Sequence, residues 1–238
     1  METKDQLWPG GPVFYVSEEA MKPSTDSFLL ADFAAVRRGD TVVDLGMGGG
    51  LLGVLLLSRE PSVRMVGVEW SAAACALAQR TFAENGMEAE VLCGDLRVIG
   101  TLFPRGTADA VVCNPPYFAP HTGAVAPGVR GIQRAEVSAT LDDVCAAADT
   151  ALKYGGWCFL IYRTERLADL IERCRAHRLE PKRMRLVQHR RDKPSELVLL
   201  ACKKGGHPGL QMELPLWMVQ EDGTETEEMK HAYFRDKE

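Results

Sequence analysis

The sequence lacks the features of membrane-spanning, secreted and metal-binding proteins. No apolar run in its 238 residues approaches the ~20 residues that a membrane-spanning helix needs. The first residues do not place an apolar stretch behind a basic one, so we expect no signal peptide. The seven cysteines are scattered and form no Cys-x-x-Cys pair, which excludes the usual zinc-knuckle and thioredoxin-type motifs. We therefore expect a cytoplasmic protein without a metal, whose thiols stay reduced.

What is present is the composition of a globular protein with an uneven distribution of charge. Of all residues, 46% are hydrophobic and 26% charged, and the net charge is −5. Residues 219–238 form an acidic tail with seven acidic and three basic residues, whereas residues 173–193 carry nine lysines and arginines against two acids. Such a basic stretch favours binding to the phosphates of nucleic acid, and the alternative is a solvated charged surface.

From residue 41 onward, short β-rich apolar runs alternate with helical stretches. This alternation predicts an α/β fold with a doubly wound, mostly parallel sheet. Residues 184–190 and 196–204 are expected to form a closing pair of strands, and one helix is expected to begin at the N-cap Thr140 and to stop at glycines. The other expected strands are 41–46, 64–70, 89–95, 108–114 and 157–163, and the expected helices are 51–60, 71–86, 140–156 and 164–178.

We expect a single domain over residues 1–218, followed by the acidic tail. Within it, residues 1–39 hold an N-terminal extension and a first helix, and residues 40–204 hold the core. The Pro/Gly-rich segment 115–139 is too long for an ordinary connection, so we expect it to be either functional or disordered. The tail lacks apolar periodicity and is expected to be frayed or to form an appended helix.

A glycine-rich turn follows the first strand of the core. Asp44 precedes Gly46, Gly48 and Gly50 in the pattern D-x-G-x-G-x-G. Glycines at these places let the backbone turn sharply and approach a ligand that a Cβ would exclude. A dinucleotide fingerprint starting at Gly46 would need a glycine at position 51, where the chain has leucine. In an open α/β sheet, the crevice at such a turn is the default ligand site.

Two more acidic residues end the next two strands. Glu69 ends the second strand, where a carboxylate can accept hydrogen bonds from both hydroxyls of a ribose. Asp95 ends the third, where an acid can accept a hydrogen bond from an adenine amino group. The alternatives are helix caps at Asp44 and Asp95 and a solvated strand end at Glu69. Three acids at successive strand ends beside one glycine loop favour a cofactor site.

This series of residues resembles the class I S-adenosylmethionine-dependent methyltransferases over roughly residues 40–204. The resemblance implies a seven-stranded sheet with an antiparallel last strand, and S-adenosylmethionine bound over the ends of strands one to four. It also implies that the glycines lie alongside the methionine part of the cofactor, that Glu69 binds its ribose, and that Asp95 and Leu96 border its adenine. The cofactor-binding residues expected from it are Asp44, Gly46, Gly48, Gly50, Glu69, Trp70, Asp95, Leu96 and Asn114.

The fourth strand ends in the most specific motif of the chain, Asn114-Pro115-Pro116-Tyr117. An amine conjugated to a ring or a carbonyl is a poor nucleophile, because its lone pair is delocalised. The Asn114 side-chain oxygen and the Pro115 carbonyl can each accept one N–H bond from it, which favours a lone pair aimed at the methyl donor. Prolines fix φ and lack N–H groups, so Pro115 and Pro116 make the turn rigid. Tyr117 offers a flat face to a planar substrate. These four residues are the candidate catalytic residues; the alternative is an incidental proline turn.

A narrower resemblance concerns the amine that is methylated. Upstream of the first strand, residues 22–30 have the spacing Lys-x-x-Thr-Asp-x-x-Leu-Leu, for which the alternative is a helix cap at Thr25 or Asp26. This segment resembles one in the bacterial tRNA adenine-N6-methyltransferase family that modifies valine tRNA beside the anticodon, and the chain is similar to that family over about residues 12–205, most strongly at residues 22–30, 44–50 and 114–118. The similarity implies that Thr25 and Asp26 lie beside the methionine end of the cofactor. The similarity implies an adenine N6 amine of tRNA as the acceptor, and an unpaired anticodon-loop base is easily splayed into a pocket. The chain departs from the family near 135–140, which leaves the contacts of that loop open. The expected substrate-binding residues are Lys22, Tyr117, Phe118, Arg130 and Arg134.

Other acceptors share the asparagine–diproline motif. Enzymes that methylate a glutamine in a release factor use this motif, but they usually carry an extra helical N-terminal domain. Only about 40 residues precede Asp44 here, which we expect to be too few for such a domain. Ribosomal RNA and small-molecule amines remain alternatives. A cofactor-binding RNA-binding protein without activity is the non-enzyme alternative, and the intact Asn114 and Glu69 argue against it.

Overall fold

The computed structural model describes residues 2–16, 24–115 and 139–235. Its strands are β1 (Thr3–Gln6), β2 (Val13–Val16), β3 (Thr41–Leu45), β4 (Arg64–Glu69), β5 (Ala89–Cys93), β6 (Ala108–Cys113), β7 (Leu152–Arg163), β8 (Leu179–Gln188), β9 (Ser195–Lys204), β10 (Gln211–Met212) and β11 (Leu216–Trp217). Its α-helices are α1 (Thr25–Phe33), α2 (Leu51–Arg59), α3 (Ala72–Glu84), α4 (Ile99–Leu102), α5 (Leu141–Ala151), α6 (Leu167–Ala176) and α7 (Glu227–Ala232). Short 3-10 helices cover Leu96–Val98 and Thr164–Arg166.

A central sheet runs through the described residues in the order β10-β8-β9-β7-β6-β3-β4-β5, with β11 also paired to β8. Strand β9 runs antiparallel to β7 and β8, and the other neighbours in this sheet are parallel. The predicted mostly parallel α/β sheet and the closing antiparallel pair are therefore confirmed. The sheet has nine strands instead of seven, because the two-residue strands β10 and β11 extend its edge. Such short segments show no apolar alternation that a sequence pattern can detect.

Both faces of the sheet are covered. Successive residues of a strand point to opposite faces, and Val42 and Val43 accordingly belong to two separate apolar cores. Helices α1, α2 and α3 pack on one face, and α4, α5 and α6 pack on the other. Six of the seven cysteines are buried as reduced thiols, while Cys93 at the end of β5 is exposed. The helices cover the two faces of the sheet but not the edge formed by the carboxyl ends of the parallel strands, where the connecting loops lie.

The helix expected at 140–156 ends earlier than the sequence predicts. It begins as expected, because the Thr140 hydroxyl accepts the Asp143 N–H at 3.2 Å and the Asp143 carboxylate accepts the Thr140 N–H at 2.8 Å. It ends at Ala151, and β7 starts with the next residue. The glycines lie inside this strand, where Gly155 has a φ of +79° beside a shift in register. They make an irregularity in a strand and do not stop a helix.

The described part of the acidic tail packs against the body. Helix α7 buries Met229 and Ala232, and Tyr233 stacks at a tilt on Phe28 of α1 with ring centroids 4.6 Å apart. The appended helix, one of the two expectations for this segment, is what these residues form. The domain boundary near residue 218 stays a prediction. Among the described residues no helix has the length and hydropathy that a bilayer crossing requires.

Candidate functional site

The carboxyl ends of four neighbouring strands bring together the acids and the asparagine that the sequence singles out. Asp44 is the fourth residue of β3, Glu69 ends β4, Asp95 follows β5 by two residues, and Asn114 follows β6 directly. The strands lie in the order β6-β3-β4-β5. Because adjacent strands are ~4.8 Å apart, the four residues share a strip about 15 Å wide. The three acids and the asparagine therefore lie along one edge of the sheet.

The glycine loop between β3 and α2 forms an open cradle at this edge. Gly46, Gly48 and Gly50 have φ values of +77°, +55° and +89°, a region that side-chain-bearing residues rarely adopt. A Cβ at Gly46 or Gly48 would meet nothing within 4 Å, so the space above the loop is open to a ligand. The N–H groups of Gly46 and Met47 both donate to the Val68 carbonyl, at 2.8 and 3.2 Å. The loop is therefore held against β4.

Glu69 ties the cradle to the start of α3. Its side chain is buried, with 7% of the residue exposed. One carboxylate oxygen accepts the Gly48 N–H at 2.9 Å, and the other accepts the Ser71 N–H at 2.9 Å. The alternative of a solvated strand end does not describe this residue. Each carboxylate oxygen has two lone pairs, so Glu69 keeps the capacity to accept hydroxyl groups of a ligand as well.

Asp44 is a buried carboxyl group of β3 with an unsatisfied oxygen. It is 2% exposed, and its Oδ2 has no hydrogen-bond partner among the described residues. Burial, and then the nearby charge of Glu69, raise its pKa to about 8. A ligand that carries an ammonium group would supply the missing partner. Together with the open cradle, this unsatisfied atom fits the aminoacyl end of S-adenosylmethionine, the cofactor that the resemblance implies.

Asp44 is expected to make the stability of the ligand-free protein depend on pH. Its pKa is 3.8 in the ordinary case and about 8 in the fold, so the folded protein keeps a proton that the unfolded chain releases. The stabilisation is complete below the unfolded pKa and is lost as pH rises toward 8, by at most ~1.4 kcal/mol per pH unit. We expect Asp44→Asn to flatten the pH dependence of the unfolding free energy between pH 5 and 8. Urea titrations at each pH measure it, with Asp5→Asn at an exposed position as the control, and an unchanged slope in Asp44→Asn would contradict the expectation.

Asp95 caps a short helix, and its contact with an adenine stays a prediction. Its carboxylate accepts the Arg97 N–H at 2.9 Å, which caps the 3-10 helix after β5 as the alternative interpretation expected. The Arg97 side chain also donates to it, and this lowers the pKa of Asp95 below its ordinary value. Leu96 beside it is half-buried. Trp70 is 59% exposed at the neighbouring strand end, so its indole is accessible to a planar group.

Asn114 is half-buried and meets the first turn of α1. Its Nδ2 donates to the Ser27 hydroxyl at 3.4 Å. The Cys113 thiol donates to the Leu45 carbonyl at 3.0 Å and so fixes the end of β6 to β3. Thr25 and Asp26, which the sequence predicts as cofactor-binding residues, lie on the same turn of α1. Sequence reasoning missed Ser27, although it follows the Thr-Asp pair directly.

Several predicted residues fall outside the described part of the chain, so their roles stay predictions. Pro115 is described and buried directly after Asn114. The predicted catalytic and substrate-binding residues outside the described ranges are Lys22, Pro116, Tyr117, Phe118, Arg130 and Arg134.

The basic run at 173–193 is largely neutralised within the fold. It is spread over α6, β8 and the turn into β9. Arg191 lies over the Trp217 ring with its guanidinium carbon 5.0 Å from the centroid. Six other arginines are ion-paired: Arg173 with Asp142 and Glu172, Arg175 with Glu180, Arg178 with Asp149, Arg183 with Glu213, Arg185 with Glu228, and Arg190 with Asp192. The run therefore supports an RNA partner less strongly than its sequence does, since these carboxylates offset much of the positive charge that a phosphate would meet.

Comparison with known proteins gives matches to methyltransferases. The family model of the methyltransferase small domain matches residues 16–171. A tRNA1(Val) (adenine(37)-N6)-methyltransferase from Salmonella enteritidis is 31% identical over 156 residues, which are 62% of each chain. A 4-amino-L-phenylalanine/4-methylamino-L-phenylalanine methyltransferase from Streptomyces pristinaespiralis is 39% identical over 117 residues, or 47% of this chain and 37% of that protein. The chain thus matches less than two thirds of the length of either relative.

A solved structure supports the fold over most of the chain. The crystal structure described as a predicted O-methyltransferase from Agrobacterium tumefaciens superimposes with a TM-score of 0.73 at 22% sequence identity. The superposition covers 88% of this chain and 96% of that one. At this level of identity the likeness concerns the fold alone.

Proposed function

Because the chain belongs to the methyltransferase small domain family, a group of class I S-adenosylmethionine-dependent methyltransferases, we propose that it methylates the exocyclic N6 amine of an adenine in tRNA. The observation that carries the proposal is the position of Asn114, which stands at the carboxyl edge beside the glycine cradle, Glu69 and Asp44. The relative that acts on adenine 37 of tRNA1(Val) aligns over 62% of the chain and supports the choice of acceptor.

Residues at two neighbouring strand ends, those of β3 and β4, hold the cofactor in this proposal. The unsatisfied oxygen of Asp44 accepts a hydrogen bond from the ammonium group of the cofactor. The methionine part lies along the backbone of Gly46 and Gly48, in the space that a Cβ would fill. Glu69 accepts the ribose hydroxyls while it keeps its bonds to Gly48 and Ser71. Ionisation of Asp44 beside the ammonium restores the carboxylate that burial disfavours in the ligand-free protein.

Asn114 and Pro115 orient the acceptor amine. The Asn114 side-chain oxygen and the Pro115 carbonyl each accept one N–H bond, which turns the nitrogen lone pair out of conjugation. Bound S-adenosylmethionine supplies a methyl group that is already activated by the positive sulfur. No titrating base is needed to start the transfer, so catalysis is mainly alignment, which can supply ~7–11 kcal/mol of the barrier. The fixed acceptors also favour the positive charge that develops on nitrogen.

A free aromatic amine is the second candidate acceptor. The relative that methylates 4-amino-L-phenylalanine is 39% identical to this chain, although over only 47% of its length. A ring-bound amino group of this kind poses the same problem as the N6 of adenine, because its lone pair is delocalised into the ring. The ion-paired arginines of residues 173–193 favour this candidate, since a small amine does not require a basic surface.

The acceptor is identified by supplying both classes to the purified protein. Methyl-labelled S-adenosylmethionine is incubated with the protein and either unmodified tRNA or 4-amino-L-phenylalanine, and a glutamine-bearing release-factor peptide serves as a third arm. We expect label in tRNA, recovered as N6-methyladenosine when its nucleosides are analysed by mass spectrometry. Label confined to the free amine would replace the proposal by the second candidate. Label confined to the peptide would contradict both, as would none in any arm.

A further inference from the structure

Helix α1 brings a buried hydroxyl group to the catalytic asparagine. Ser27 is 8% exposed, and its Oγ lies 3.4 Å from Asn114 Nδ2, which donates to it. The hydroxyl of Ser24, one turn earlier, lies 3.5 Å from the Ser27 hydroxyl. Ser27 is the third residue of α1 and directly follows Thr25 and Asp26, which are expected to bind the cofactor. The same turn of α1 therefore also contacts Asn114, which is proposed to bind the acceptor amine. The hydrogen bond between Ser27 and Asn114 thus connects α1 to the proposed catalytic residue.

The proposed chemistry of Asn114 depends on which end of its amide faces the acceptor. Oxygen and nitrogen of an asparagine amide have nearly the same shape, so packing alone does not select one orientation. With the oxygen toward the substrate, the amide accepts an N–H bond from the acceptor amine. A rotation by 180° would present the NH₂ group, and two donors would then face each other. A fixed hydrogen bond to the nitrogen end therefore decides whether the residue can orient the amine.

We infer that Ser27 is a positioning residue, whose hydroxyl binds Asn114 Nδ2 and so holds Asn114 Oδ1 toward the acceptor amine. The inference rests on the proposed function, because it assigns Asn114 the role of acceptor for that amine. The Ser27 proton is directed to the Ser24 hydroxyl in this arrangement, which leaves the Ser27 oxygen to accept. The three groups form one chain of hydrogen bonds from α1 to the end of β6.

The turn that carries Ser27 is anchored from its other side by the tail. The Thr25 hydroxyl lies 2.6 Å from the Tyr233 hydroxyl, and the Phe28 ring packs on the Tyr233 ring at 4.6 Å. Arg59 of α2 pairs with Asp32 of α1 at 3.1 Å. Because these contacts hold the helix, Ser27 stays within hydrogen-bond distance of Asn114, and little ordering is needed when substrates bind.

Substitution of Ser27 is expected to lower turnover without weakening cofactor binding. We expect Ser27→Ala to lower kcat about five- to tenfold, since one hydrogen bond that sets an orientation is lost, while the Kd for S-adenosylmethionine stays within about twofold. Ser27→Thr keeps the hydroxyl and is expected to restore most of the turnover. In an Asn114→Ala background, Ser27→Ala is expected to have no further effect, because the amide that it positions is absent. A merely structural role for Ser27 would instead give additive losses.

A measurement without turnover tests the contact directly. In ¹⁵N-labelled protein, the side-chain amide signals of Asn114 are those that Asn114→Ala lacks, and we expect Ser27→Ala to shift them while Ser27→Thr leaves them nearly in place. Unmoved signals in Ser27→Ala, or wild-type turnover, would overturn the inference even if tRNA is the acceptor. Shifted signals together with an unlabelled tRNA would support the positioning of the amide and contradict only the proposed acceptor.

Discussion

Replacing Asn114 by alanine is expected to lower the turnover of methyl transfer about 10²–10³-fold, the size of effect seen when one preorganised polar group is removed from a reacting centre. The side chain stands at the end of β6, where its amide is held by Ser27. The expected loss falls on kcat, since the residue orients the acceptor amine. The Kd for S-adenosylmethionine, measured by calorimetry, is expected to change by no more than about threefold, because Asp44 and Glu69 remain in place.

Asn114→Asp is the matched variant for this prediction. It keeps a side-chain acceptor oxygen at the same position and replaces the amide nitrogen that donates to Ser27. We expect its turnover to lie between those of the wild type and Asn114→Ala. Wild-type turnover in Asn114→Ala, measured with the acceptor that the wild type methylates, would remove the amine-orienting role from this residue.

Replacing Glu69 by glutamine is expected to weaken the binding of S-adenosylmethionine about 100-fold, which corresponds to ~2.7 kcal/mol. Glu69 accepts the N–H groups of Gly48 and Ser71 with its two oxygens, both at 2.9 Å. A glutamine presents an NH₂ group to one of these donors, so the glycine loop loses an anchor. The ribose also loses a charged acceptor. At saturating cofactor, kcat is expected to stay within a few-fold of the wild-type value, the reverse of the pattern for Asn114→Ala.

The control for Glu69→Gln is Glu60→Gln at the far end of α2. Glu60 likewise accepts from a backbone N–H and a hydroxyl, both of Ser62, at 3.1 and 2.6 Å. It lies away from the carboxyl edge of the sheet, so its substitution is expected to leave cofactor binding unchanged. Equal Kd values for Glu69→Gln and the wild type would exclude a cofactor contact at Glu69.

Much of the fold follows from local patterns in the chain. Strands β3, β4, β5 and β6 lie where the apolar runs predict them. Each of β3, β4 and β6 is buried between two helical layers and reads as a short apolar segment, whereas β5 is only half-buried at the edge of the sheet. The start of α5 is equally local, since Thr140 and Asp143 satisfy each other within one turn. Acids at the ends of parallel strands must meet at one edge, so the sequence also predicts that Asp44, Glu69 and Asp95 come together.

Contacts between distant parts of the chain were not accessible to such patterns. Ser27 and Asn114 are 87 positions apart, and Thr25 and Tyr233 are 208 apart. No periodicity records which hydroxyl will face which amide across that separation. The basic run shows the same limit, because the carboxylates that pair with Arg183 and Arg185 come from positions 213 and 228, beyond the strand that follows.

The division of the cysteines into six buried thiols and one exposed thiol gives the protein a built-in label. We expect an alkylating reagent to reach Cys93 in the native state, and to reach the other six only when the protein unfolds. The fraction of chains whose mass shows more than one alkyl group therefore gives the fraction that has unfolded. Since Cys93 pairs in register with Glu69, its rate of alkylation also reports on any molecule that covers that corner.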